Sequence, residues 1–141
     1  MATQVTHALA VPQQQGAAAD QFAVTVEHER ASCPCIVVSG DVDARAVDTL
    51  TTVLARYPAV ETTALVADLS AVTFCSINGL HMILDLFDRS NAVAVPLELV
   101  VDAPLRRLLG RLECAAGLST HLDRAAAMVA IDAPEAEALR A

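Results

Sequence analysis

Residues Leu65–Phe87 read LVADLSAVTFCSINGLHMILDLF, and the change of rhythm inside this stretch decides the fold class. Leu65 to Leu69 is a short aliphatic run with one aspartate near its end, the pattern of a buried strand in a parallel sheet. A turn is expected after Leu69. The run Cys75, Ser76, Ile77, Asn78, Gly79 then leads into Leu80, Ile83, Leu84 and Phe87, spaced by three and four like one face of a helix. Ser76 stands at the N-cap position, its hydroxyl ready to accept a hydrogen bond from a free amide of the first turn. A strand ending in a polar loop that opens a helix is where open α/β sheets place function, because free amides and the helix dipole converge there.

Upstream, Phe22, Val24 and Val26 alternate with Ala23, Thr25 and Glu27 as in a half-buried strand, and Cys35 to Ser39 forms its hairpin partner across a charged turn at His28 to Ser32. Gly40 breaks that strand. Asp43 precedes a helix from about Ala44 to Tyr57, with Val47, Leu50, Val53, Leu54 and Tyr57 on one face and Pro58 at its end. The central helix runs from Ile77 to about Ser90. Downstream, Leu97 to Val101 is another aliphatic strand. Asp102 caps a helix with Pro104 in its first turn, which buries Leu105, Leu108, Leu109 and Leu112 and stops at Gly117. Leu118 to Leu122 makes a last short strand and Arg124 to about Ile131 a last helix. Residues 1–20 read as a disordered leader, 21–132 as one domain, and 133–141 as a fraying tail. Alternating strands and helices imply parallel pairs with right-handed crossovers, so the expectation is an α/β domain with a mixed sheet of about five strands and about four helices.

A chain of 141 residues is one domain by size and long enough to bury a core without staples. Its residues are 55% hydrophobic but only 3% aromatic, so the core packs with aliphatics. The formal net charge is -8 and every Lys or Arg position is arginine, a balance that repels phosphate backbones and argues against nucleic acid. No run approaches the roughly 18 to 20 apolar residues of a membrane span. The first twenty residues carry no Arg or Lys and so lack the charged region of a secretory signal, which makes the cytoplasm the expected compartment. Cysteines at 33, 35, 75 and 114 are then expected as thiols.

Catalysis finds little support. The Gly-x-Ser-x-Gly of a nucleophile elbow is absent around Ser76, flanked by Phe74 and Asn78, and His7, His28, His81 and His121 read as solvated surface histidines. His28, Cys33 and Cys35 are close in sequence, but Cys-Pro-Cys supplies two zinc ligands at most where four are needed, so no metal and no cofactor is expected. A bond between Cys75 and Cys114 is disfavoured, because about ten helical residues at 1.5 Å each would hold them some 15 Å apart. The Ser76 loop also lacks the glycine-rich run and lysine of a nucleotide loop.

Three stretches carry a resemblance. DLSAVTFCSINGL, residues 68–80, resembles the signature of STAS domains, above all of bacterial anti-sigma factor antagonists, close to DLSGVxFxDSSGL. VVSGDVDARAVDTL, residues 37–50, is similar to the family's strand ending in Gly-Glu-Leu-Asp and its first helix, and DAPLRRLLGRLECAAGL, residues 102–118, to its third helix and following turn. In order and spacing they span about Phe22 to Asp132. The resemblance implies the STAS fold and a protein that performs no chemistry. It implies an antagonist that binds a kinase-type anti-sigma factor, frees a sigma factor, and is inactivated by phosphorylation of a serine in the DSSG loop.

Carried over residue by residue, the Asp of DSSG falls on Ser76, the phosphoaccepting Ser on Ile77, the second Ser on Asn78 and the Gly on Gly79. Ile77 has no hydroxyl, so the binding half of the resemblance carries over while the phosphorylation half does not. Gly40, Asp41, Val42 and Asp43 match Gly-Glu-Leu-Asp, where the family places partner contacts. The Asp41–Asp43 turn and the Ser76–Gly79 loop both follow carboxyl ends of strands and are expected side by side. Asn78, Met82, Leu86 and Arg89 fall along one stripe of the central helix, which makes Met82 and Leu86 candidate partner contacts beside Asp41, Asp43, Ile77 and Asn78. The expectation is a cytoplasmic antagonist, a monomer or weak dimer. The alternative is a ligand-sensing or scaffold module holding a small anionic molecule at the Ser76 loop.

Overall fold

A computed structural model describes residues 6–8, 21–112 and 117–133. Ten elements follow one another: β1 (Thr6–Ala8), β2 (Ala23–Arg30), β3 (Cys33–Val42), α1 (Ala44–Leu54), β4 (Leu65–Cys75), α2 (Ile77–Ala92), β5 (Leu97–Val100), α3 (Ala103–Gly110), β6 (Ser119–His121) and α4 (Arg124–Ile131). The strands form one sheet in the order of the chain, antiparallel across β1, β2 and β3 and parallel from β3 to β6. The mixed sheet and four helices follow the expected pattern. β1 is an addition: three residues of the stretch read as a disordered leader pair with Thr25–Glu27 at the sheet edge. The other leader residues, Cys114 and most of the tail lie outside the described residues.

Each parallel strand steps the same way across the sheet, so right-handed crossovers must place α1, α2 and α3 on one face. There Leu50, Leu65, Leu86, Leu99 and Leu109 join one aliphatic core with Phe22, Val24 and Ile36. α4 follows the last strand, crosses nothing, and lies on the opposite face, where Ala127 packs against Cys33, Val66 and Val100. Leu65–Leu69 is therefore covered on both sides and buried at every residue, which explains its unbroken aliphatic run.

Four helix starts share one device. Asp43, Ser76, Asp102 and Asp123 are extended N-cap residues whose side chains accept from first-turn amides: Ala46 at 3.0 Å, Gly79 at 3.1 Å, Leu105 at 3.0 Å and Ala126 at 2.8 Å. Gly40 has φ +82, and a β-carbon there would sit 2.2 Å from the Gln21 carbonyl oxygen, so glycine alone fits.

Three boundaries differ from the expectation. β4 does not turn after Leu69 but continues to Cys75, because β3 also extends, and Val37–Val42 pairs with Asp68–Cys75 across two register shifts. α1 ends at Leu54, and Arg89 of α2 closes that end by donating to the carbonyls of Leu54 and Tyr57. α3 ends at Gly110 rather than Gly117. Its Leu108 is 38% exposed while Leu105 and Leu109 are buried, since a helix this short turns only one narrow stripe to the sheet.

Candidate functional site

The extension of β3 and β4 builds the edge that the sequence singled out. Asp41 pairs with Phe74 and Val42 with Cys75, and the Ser76 amide donates to the Val42 carbonyl at 2.8 Å. The Asp41–Asp43 turn and the Ser76–Gly79 loop therefore lie side by side at one end of the sheet. Thr73 ties them again, its hydroxyl donating to Asp41 Oδ1 at 2.7 Å. Gly79 is buried where α2 meets the sheet: a β-carbon there would lie 2.7 Å from Val42 Cγ1 and 2.9 Å from Cys75 Sγ.

Around this anchored base the side chains point outward. Ile77 is 65% and Phe74 54% exposed, and Asn78 and Asp43 are exposed as well. The Ser76 hydroxyl, by contrast, is engaged as the cap of α2. Beside Phe74 runs a shallow groove of about 170 Å³ between the end of β4 and the start of α3, lined by Cys75, Asp102, Pro104 and Leu108 among others. Burial pushes the Cys75 thiol up to about 11. Phe74 has no clear signal in the sequence, because beyond Leu69 the strand loses its apolar run and its exposure does not alternate.

The stripe along α2 divides. Met82 is half-buried between α1 and α2, with Thr51 Oγ1 at 2.8 Å from its Sδ. Leu86, expected on the partner surface, is 1% exposed and belongs to the core. α1 packs along this side of α2 and covers it, so Leu86 is withdrawn as a contact residue.

A second group of polar residues lies on the α4 face. Glu27, Cys35, Val66, Glu98 and Ser119 form one row across the sheet. Arg124 of α4 donates to Asp68 Oδ2 at 2.9 Å and Glu27 Oε1 at 2.8 Å, and Ser70 caps the other Asp68 oxygen. Burial pushes the Asp68 carboxyl up, but the hydrogen bonds from Ser70 and Arg124 outweigh it and hold its pKa below the usual value.

Further along the sheet, His121 is not a solvated surface residue. Its Nε2 lies 2.7 Å from Glu98 Oε1 and 3.2 Å from Ser119 Oγ. A Ser-His-acid relay needs the serine and the acid on opposite ring nitrogens, whereas here both meet Nε2. A single carboxylate inside an aliphatic strand, Asp68 in LVADL and Glu98 in LELV, was the available signal for both clusters.

Among the described residues no group of three or more His, Cys, Asp and Glu is placed to hold a metal, and no helix is long and apolar enough to cross a membrane. Comparison of folds finds an anti-sigma factor antagonist from Mycobacterium paratuberculosis, with TM-score 0.70 at 22% identity over 84% of this chain and 99% of that one. The anti-sigma factor antagonist SpoIIAA in its unphosphorylated form matches with TM-score 0.61 at 18% identity, over 79% of this chain and 97% of that one. The murine anion transporter Slc26a9 matches with TM-score 0.64 at 14% identity, over 94% of this chain but 23% of that one. These likenesses are of fold, which the antagonists and a transporter share. No curated protein sequence matches the chain. The model of the STAS domain matches residues 23–124, the whole sheet from β2 to β6 with its three crossover helices, and the chain belongs to the STAS domain family.

Proposed function

We propose that this chain is an anti-sigma factor antagonist that binds a kinase-type anti-sigma factor through the edge formed by Asp41, Asp43, Ile77 and Asn78, and so frees a sigma factor for transcription. The observation that carries this reading is the 65% exposure of Ile77 on a rigid base, next to exposed Phe74 and two aspartates. An exposed apolar centre with a polar rim is the anatomy of a docking patch, and a protein of formal charge -8 favours a basic partner over nucleic acid. Met82 contributes from its half-buried place beside the patch. The protein works in the cytoplasm as a binding module, a monomer or weak dimer, and performs no chemistry of its own.

On this reading the phosphorylation switch is gone. Ile77 stands at the acceptor position without a hydroxyl, and Ser76 is one residue early and occupied as a cap. A phosphoryl transfer needs the attacking oxygen in line, and a displacement of about 1 Å costs about 100-fold in rate. Binding is then governed by the abundance of the chain or of its partner. The alternative, a small anion at the start of α2, is less supported: the anion would have to displace the Ser76 hydroxyl from the Gly79 amide.

The test is calorimetric titration of the purified chain with candidate anti-sigma kinases, followed by intact-mass measurement after incubation with ATP. Binding without added phosphate is the expected result. No binding to any such kinase overturns the partner. Stoichiometric phosphate that Ser76→Ala abolishes overturns the loss of the switch.

A further inference from the structure

Between α4 and the sheet, on the face away from the Ser76 edge's helices, lies a cavity of about 240 Å³ lined by Cys33, Cys35, Met128, Arg30 and Arg124 among others. The sequence set the two cysteines aside because they supply only two of four zinc ligands. The fold adds a third sulfur: Met128 and Cys35 pack against the cluster that holds buried Cys33, and all three line this cavity. From these placements we propose that Cys33, Cys35 and Met128 form a binding site for a soft monovalent metal ion, cuprous copper, between β3 and α4.

The ligand set selects the metal. Thiolate and thioether sulfur prefer copper(I), whereas imidazole and carboxylate suit harder ions. A zinc site needs four nitrogen, oxygen or sulfur ligands, and no described group of three His, Cys, Asp and Glu exists to supply them. A closed-shell monovalent ion is satisfied by two thiolates and a weaker third donor. Cys33 and Cys35 are two residues apart on one strand, which sets their α-carbons roughly 6.6 Å apart on one face. That is at the upper limit for a disulfide, about 6.8 Å. Two metal–sulfur bonds of about 2.3 Å, the length of zinc thiolates, bridge roughly 4.6 Å between the sulfurs and fit the span better.

Charge and protons also balance. On binding, each thiol gives its proton to solvent and forms one sulfur–copper bond, with no change of oxidation state. Two thiolates and one monovalent cation leave one negative charge beside the Arg30 and Arg124 guanidiniums, which line the same cavity and are already paired with carboxylates, Asp132 for the first and Asp68 and Glu27 for the second. Methionine, flexible at three torsions, can swing its sulfur to the ion without moving α4.

The full chain is titrated without oxygen with copper(I) held by a chromophoric chelator, and with zinc(II) in parallel. One copper per chain withdrawn from the chelator, a thiolate-to-copper absorption in the ultraviolet, and no zinc uptake are expected. Cys33→Ser/Cys35→Ser loses the copper, Met128→Leu binds more weakly, and Cys75→Ser/Cys114→Ser is unchanged. Prolonged alkylation followed by peptide mass mapping locates the site in the native chain, so a misfolded variant does not blur the outcome: copper lowers the slow labelling rate of Cys33 and Cys35 further and leaves that of Cys75 as it was. The proposal is overturned if the native chain withdraws no copper, or if shielding falls on Cys75 or Cys114 instead.

Discussion

The Ser76 amide donates to the Val42 carbonyl at 2.8 Å, one residue beyond the last pair of the β3–β4 ladder, so the strand pairing itself holds the α2 loop against the Asp41–Asp43 turn. The candidate surface is thus an extension of the sheet, and its stability is that of the sheet end.

Replacing Ser76 by alanine removes the acceptor for the Gly79 amide and lowers unfolding free energy by about 1 kcal/mol, as for other helix caps. Urea denaturation checks this. The shift is the same with and without a bound partner if the hydroxyl acts only as a cap.

Gly79→Ala sets two effects against each other. Alanine gains up to about 1 kcal/mol of helix propensity over glycine, less in a first turn. Overpacking costs about 1–3 kcal/mol, and here the β-carbon would meet Val42 Cγ1 at 2.7 Å and Cys75 Sγ at 2.9 Å. The overlap wins, so the variant is less stable by thermal melting, and adding Cys75→Ala restores part of the loss.

Leu86 and Ile77 behave oppositely. Leu86→Ala opens a cavity at a residue 1% exposed, costing about 2–5 kcal/mol. Ile77→Asp, at 65% exposure, changes stability by within about 0.5 kcal/mol, and on the proposed function it abolishes binding to the anti-sigma factor. Denaturation and calorimetric titration of both variants separate the two roles.

Asp68 makes stability depend on acid. Its folded pKa is depressed, so its contribution is complete above the unfolded value of about 3.9 and is lost as pH falls through the folded value. Asp68→Asn therefore destabilises by about 1–2 kcal/mol at neutral pH, less than the 3–5 of a fully buried broken pair because Arg124 keeps 36% side-chain exposure. The difference between wild type and variant shrinks as pH falls below the unfolded value of about 3.9, measured by urea midpoints.

Cys35 and Cys75 resist a thiolate-selective disulfide reagent near neutral pH, since burial pushes them up to about 12 and about 11. In a Cys114→Ser background, the native chain reacts slowly and urea releases fast labelling. Rapid labelling of either thiol in the native chain contradicts this account of their surroundings.

Local pattern was enough for what depends on near neighbours in the chain. The caps at Asp43, Ser76 and Asp102 need only a short polar side chain ahead of a helical apolar rhythm. The hairpin of β2 and β3, the aliphatic strands at Leu65 and Leu97 and the order of elements likewise follow from period two or period 3.6. The juxtaposition of Asp41–Asp43 with Ser76–Gly79 followed too, because parallel strands share their carboxyl ends.

What the sequence did not carry depends on pairing between distant residues. β4 reaches Cys75 only because β3 offers free backbone groups as far as Val42, and that pairing is what brings Phe74 to the surface beside Ile77. Leu86 and Leu108 obey the same helical periodicity, yet one is buried and the other exposed. The neighbouring helix α1 decides the first, and the narrow seat of α3 on the sheet decides the second. Arg124 lies 56 residues from Asp68 and 97 from Glu27, and meets both only because α4 folds back over a sheet in which β2 and β4 flank β3. A periodicity says that a residue has a face. Only the packed partners determine what that face meets, because burial and charge pairing are properties of two surfaces brought together by tertiary structure.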